Sequence, residues 1–139
     1  MELVKKIGVV SCSGEDCLGG TISRLATRKI LERIRLGESV TICLPLFIAG
    51  GEEERAFAQV NPTITVDGCG KWCAKLATEK LSGKVSDAIQ VADIIGKEVA
   101  EGPALSTRNL TPEHLAMVDK VVEAIRVNFD KIVQENMKH

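Results

Sequence analysis

The sequence predicts an α/β fold: a three-layer sandwich with a mainly parallel sheet of about four strands and helices on both faces. Three observations predict it. Short β-branched runs alternate with segments of helical periodicity along the 139-residue chain, the pattern of right-handed parallel crossovers. The strand-like runs are nearly continuous in apolar residues, as suits a sheet covered on both sides. No internal repeat, low-complexity stretch or linker breaks the alternation, so residues 1–139 read as one domain of Rossmann-like layout, long enough to bury a core unaided.

Residues 5 to 11, KKIGVVS, make the first strand and end in the glycine-bearing turn SCSGEDCLGG. Ile22, Leu25, Ile30, Leu31 and Ile34 then recur at helical spacing, with Thr21 and Ser23 as candidate caps and Gly37 as the C-terminal glycine. SVTICL, 39 to 44, is a second strand stopped by Pro45. GGEEERAFAQV reads as a short helix whose first turn carries Glu52, Glu53 and Glu54, where they favour the helix dipole and need no catalytic role. NPTITVDG gives the third strand and CGKWCAKLATEKLSG a long helix ending at Gly83. VSDAIQVADIIG holds a fourth strand near Ala88 to Ala92, followed by a short helix. The last segment is the clearest helix. Thr111 is its N-cap and Pro112 its first residue, and Leu115, Val118, Val122, Ile125, Phe129 and Ile132 follow in steps of three and four.

Composition narrows the function classes. A net charge of -1, one Trp, three Phe and no Tyr do not suit nucleic acid, which calls for a basic face and often stacking aromatics. No apolar run approaches the roughly 18 residues of a membrane-spanning helix. The apolar stretch after Lys5 and Lys6 is too short for a signal-peptide core, so the expected location is the cytoplasm. Thiols there stay reduced, and an odd count of five cysteines also argues against full pairing. The expected partner is a metal ion, a small thiol ligand or another protein.

Ligands of open parallel sheets gather beyond the carboxyl ends of the strands. Cys12 falls just past strand one, Cys43 near the end of strand two, and Cys69 just past strand three with Cys73 one helical turn on. Four thiolates converging there would form a tetrahedral sulfur site suited to zinc or, less often, iron. Such a site carries a charge of about -2, which Lys71, Lys75 and helix N-termini would offset. Ser13, Gly14, Cys17, Asp67, Gly68 and Lys71 are expected around it. Asp67 is read chiefly as a helix cap and Gly68 as a tight-turn residue.

Blander readings stand beside these. Cys43 inside VTICLPL equally suits a small buried hydrophobe, and Lys75 a solvated lysine. Gly14, Gly19 and Gly20 resemble an anion nest, yet no Lys followed by Ser or Thr is present as a nucleotide loop requires. A low-molecular-weight cysteine phosphatase also carries a Cys after strand one, with an Arg six residues later. Here those positions hold Leu18 after Cys12 and Ser23 after Cys17, with Arg24 one place late. His114 and His139 sit at a helix start and a chain end, neither a natural general base.

At VVSCSG, TICLPL, VDGCGKWCA and the closing amphipathic helix, which together cover nearly the whole length, the chain resembles the DGC-domain family. These are small bacterial and archaeal proteins assigned to zinc binding and named for the triplet present here as Asp67, Gly68 and Cys69. The resemblance implies that Cys12, Cys43, Cys69 and Cys73 are the chelating set, with Cys17 left over, and it implies no particular reaction. Where the family often has a proline after the triplet's cysteine, this chain has Gly70, which loosens the turn but removes no ligand.

Two classes of function fit. One is a zinc protein used in metal handling, sensing or binding a thiol ligand; a fully thiolate-ligated zinc is closed, so hydrolysis would need Cys12 or Cys43 to leave. The other is a thiol-dependent redox or sulfur-transfer enzyme, with Cys69 activated at a helix N-terminus and Cys73 or Cys12 resolving. An iron-sulfur centre is the third possibility.

Overall fold

Alternation along the strands decides which residues meet which layer. The computed structural model describes residues 6–12 and 14–137. Four strands, β1 (Ile7–Ser11), β2 (Ser39–Val40), β3 (Thr63–Asp67) and β4 (Asp87–Gln90), form one parallel sheet in the order β2-β1-β3-β4. They are connected by helices α1 (Leu18–Lys29), α2 (Leu46–Ala49), α3 (Glu52–Arg55), α4 (Phe57–Val60), α5 (Cys73–Leu81), α6 (Val91–Ile95) and α7 (Lys97–Ala100), and α8 (Pro112–Met137) closes the chain.

Ile7 and Val9 of β1, Ile64 and Val66 of β3 and Ile89 of β4 project to one face. There they bury against Ile22, Ala26 and Ile30 of the first helix and Val121, Ile125 and Phe129 of α8. Each such aliphatic side chain contributes roughly 1.5–3 kcal/mol when taken fully out of water. The alternate residues Gly8, Val10, Thr63 and Thr65 serve the opposite face, which is smaller and more polar. Gly8 is a glycine for reasons of space, since a Cβ there would lie 2.6 Å from the Phe57 ring. The sheet is thus covered on both sides, as the sequence predicts.

The first helix starts earlier than its periodicity suggests. Cys17, not Thr21 or Ser23, occupies the N-cap, and those two residues are buried inside α1. The helix widens into a π-turn at Ile30–Ile34, and Gly37 at φ +82° turns the chain out. Arg35 then binds Asp130 of α8 through its Nε and Nη2, at 2.7–3.0 Å. The second strand is much shorter than SVTICL: only Ser39 and Val40 pair with β1, and the chain leaves the sheet at Thr41. Cys43 therefore sits three residues past the strand.

The segment 50–60, expected as one short helix, forms two, α3 and α4, and α2 precedes them. Glu54 reaches back to the Gly51 amide at 2.8 Å, so one of the three glutamates caps the helix start. At α8, Thr111 and His114 bond reciprocally, the His114 amide donating to the Thr111 hydroxyl and the Thr111 amide to His114 Nδ1. Thr111 thus caps α8 and His114 is part of that cap. Leu115, expected in the core, is exposed, because the first turn of α8 projects beyond it. The strand start at Lys5, the site residue Ser13 and the terminal His139 lie outside the described residues.

Candidate functional site

Strand order reverses between β1 and β3: the chain moves from β1 outward to β2, then returns to β3 on the other side. The crevice beyond their carboxyl ends is the switch point where ligands of such sheets bind. The loops that leave it carry Cys12 and Cys69.

Three backbone contacts build this crevice, and each needs a glycine. A Cβ on Gly68 would lie 2.5 Å from the Gly19 carbonyl carbon and 2.6 Å from Gly20 Cα. A Cβ on Gly20 would lie 2.5 Å from Gly14 Cα, and Gly19 in turn faces the Gly68 carbonyl. Main chain is therefore pressed on main chain across the first loop, the opening turn of α1 and the loop after β3. The pattern looks like an anion nest in sequence and is used here for close packing.

That packing brings the thiols together. Cys12 accepts a hydrogen bond from the Gly68 amide at 3.4 Å and lies 3.5 Å from the Ser23 hydroxyl. Ser23 spends its proton on the Gly20 carbonyl, at 2.7 Å, so the Cys12 thiol is the donor in the contact between them. Burial pushes the Cys17 thiol up; the Gly20 amide draws it down, while the charges of Cys69 and then Cys12 push it up. Burial also raises Cys73, followed by repulsion from Asp67, Cys12 and Cys69, with Lys71 opposing. Cys12 and Cys69 thus each lie within electrostatic reach of both Cys17 and Cys73.

Cys69 and Cys73 do not share a helix face as their spacing suggests. Trp72 adopts the left-handed conformation, φ +59°, and α5 starts at Cys73, leaving Cys69 in the turn before it. Lys75, read as solvated, places its ammonium 5.1 Å from the Trp72 ring centre, a cation-π contact.

Asp67 explains the first letter of its triplet. It is 1% exposed, and its carboxylate accepts from the Ala74 amide at 2.6 Å and the Lys75 amide at 3.1 Å. From the end of β3 it caps α5 and fixes where Cys73 emerges. Burial raises its pKa, against the pull of those two amides and of the Lys75 charge. Asp67→Ala leaves two donors at the helix start unpaired, one of them buried. It is expected to cost about 2 kcal/mol, read as a lowered urea midpoint with unchanged slope.

Cys43 is exposed, and with Cys12 it lines a cavity of about 250 Å³ between α1 and residues 41–45. It is not among the charges acting on Cys17 or Cys73. All five thiols are free. Among the described residues no three His, Cys, Asp or Glu groups already stand close enough to hold one ion, and no helix is long and apolar enough to cross a membrane. The sequence gives little notice of Cys17's place in the cluster; the signal was the helix start, hidden behind Gly19 and Gly20.

No curated protein and no solved structure matches the chain. A family model, the DGC domain, matches residues 8–125, from β1 into the middle of α8, and spans every thiol described above. The chain belongs to the DGC-domain family.

Proposed function

We propose that the chain binds a thiophilic metal ion, zinc, through the thiolates of Cys12, Cys69 and Cys73, with a fourth thiolate from Cys43 or Cys17. One observation carries this reading: glycine packing gathers thiols from the first loop, the start of α1 and the loop after β3 at the switch point of the sheet. Cys43 is supported as the fourth ligand by the cavity it shares with Cys12, and Cys17 by its coupling to Cys12 and Cys69.

The donor set fits the ion in chemistry. The charges of Cys12 and Cys69 push Cys17 and Cys73 up at this edge, and a cation among them turns that repulsion into attraction. When bound, zinc would supply a Lewis-acidic centre that closes the site at four sulfur ligands. The chain's part is to bring the ligands in. Since they do not stand at ligand spacing, binding requires the Cys69–Trp72 turn to tighten, and Gly70, with nothing near its Cβ position, leaves that turn room to move. Lys71, whose charge acts on Cys73, offsets part of the negative charge. A reducing compartment such as the cytoplasm would keep the thiols available.

The test is elemental analysis of protein purified without chelator. About one zinc per chain, lost in Cys69→Ser, is the expected result. Metal-free protein with one fast-alkylating thiol would instead favour a thiol-dependent enzyme, and brown anaerobic preparations an iron-sulfur centre.

A further inference from the structure

The cavity that Cys12 and Cys43 share has walls of a different character from the thiol cluster. Arg24, Thr27, Arg28 and Leu31, spaced by three, one and three, lie along one face of the first helix and form one side. Ile42 and Leu44 face them from the segment that leaves β2. We propose that this cavity binds a small organic carboxylate with an aliphatic body of a few carbons.

Four observations support that class of ligand. The volume, about 250 Å³, falls just below the roughly 300–1,000 Å³ of drug-sized sites, so the occupant is small. Leu31, Ile42 and Leu44 offer apolar surface for its body. Thr27 is 3% exposed and its hydroxyl has no hydrogen-bond partner among the described residues. A buried hydroxyl left unpaired is unfavourable; its oxygen is closed off from the cavity in the free chain, and a ligand oxygen pairs with it once the wall between them opens. Finally, both guanidinium groups already hold carboxylates: Arg24 binds Glu15 and Arg28 binds Glu32. These pairs are exposed on both partners, 42%/79% and 54%/56%, and pairs of that kind are held weakly. Either arginine can exchange its glutamate for a ligand carboxylate at the cavity. Inorganic phosphate fits less well, since it has no body to fill the apolar walls.

The proposal stands whether or not zinc is held, and the experiment separates the two. The ¹⁵N-labelled full chain is titrated with isovalerate, with its neutral amide isovaleramide and with inorganic phosphate, both zinc-loaded and after chelation, with zinc content measured on each sample. Isovalerate alone is expected to shift the amides of Thr27, Leu31, Ile42 and Leu44 saturably. Arg28→Gln should weaken it roughly tenfold, as loss of one charge-assisted bond does. Thr27→Val, which keeps the side chain's shape, should weaken it less, with amides elsewhere unmoved. Equal binding of isovaleramide or phosphate, or no shift in 24–31 and 41–45 with any of the three, overturns the proposal. Zinc retained without isovalerate binding sinks this inference alone; isovalerate binding to protein that never holds zinc sinks only the metal reading.

Discussion

Gly68→Ala is expected to destabilise the fold by about 3 kcal/mol or more, while Gly70→Ala, two residues on, changes stability by less than about 0.5 kcal/mol. The difference is one of space. The added methyl at 68 meets the Gly20 amide nitrogen, the Gly19 carbonyl carbon and Gly20 Cα, all main-chain atoms inside the first turn of α1. No side chain can rotate away to relieve it, so either the helix lifts off β3 or the loop after β3 is displaced. At Gly70 a methyl meets nothing within 4 Å. Urea denaturation of both variants is the measurement, and a Gly68→Ala protein as stable as Gly70→Ala would refute the packing account. The same displacement should separate Cys69 from Cys12, because the Gly68 amide that binds the Cys12 sulfur sits at the contact. In Gly68→Ala, any metal affinity should therefore fall even where the protein remains folded.

This contact marks the boundary of what the sequence discloses. α8 is legible because one periodic stripe, Val118 to Ile132, meets one core face; only Leu115, in a turn that overhangs the core, departs from it. The layer order is legible because alternation and connection rules act locally. They also place Cys12 and Cys69 on one rim, at the reversal between β1 and β3. Three features are set by tertiary contact and leave no local trace. β2 stops at Val40 because pairing with β1 ends there, though Thr41, Ile42 and Cys43 have strand-like character. α1 begins at Leu18 because Gly19 and Gly20 fit against Gly14 and Gly68, whereas glycines read in isolation signal a loop. Trp72 takes a positive φ that its neighbours do not foretell, which removes Cys69 from the helix that its spacing with Cys73 implies. The thiol cluster is legible as a location; its membership, with Cys17 inside and Cys43 across a cavity, is not.

Zinc should stabilise the chain without being needed to fold it. The apolar core between the sheet, α1 and α8 contains no cysteine, so chelation is expected to leave the far-ultraviolet circular dichroism spectrum intact, unlike a zinc finger, which unfolds. Free zinc at 1,000 times its dissociation constant should add about 4 kcal/mol to unfolding stability by mass action. Cys12→Ser, Cys69→Ser and Cys73→Ser should each reduce affinity by more than about 100-fold, since losing a direct ligand exceeds the cost of losing a supporting group. Of Cys17→Ser and Cys43→Ser, one should match them and so identify the fourth ligand. Proton linkage gives a separate check. Burial, with the charges of Cys12 and Cys69, holds Cys17 and Cys73 above the usual thiol range, so Cys73 is protonated in the free chain at neutral pH, and so is Cys17. Zinc must displace those protons, and affinity should therefore climb as pH rises toward the thiol range, with protons released on binding. Zinc binding that is indifferent to pH, or unchanged in Cys69→Ser, would mean that the ion is held elsewhere on the chain.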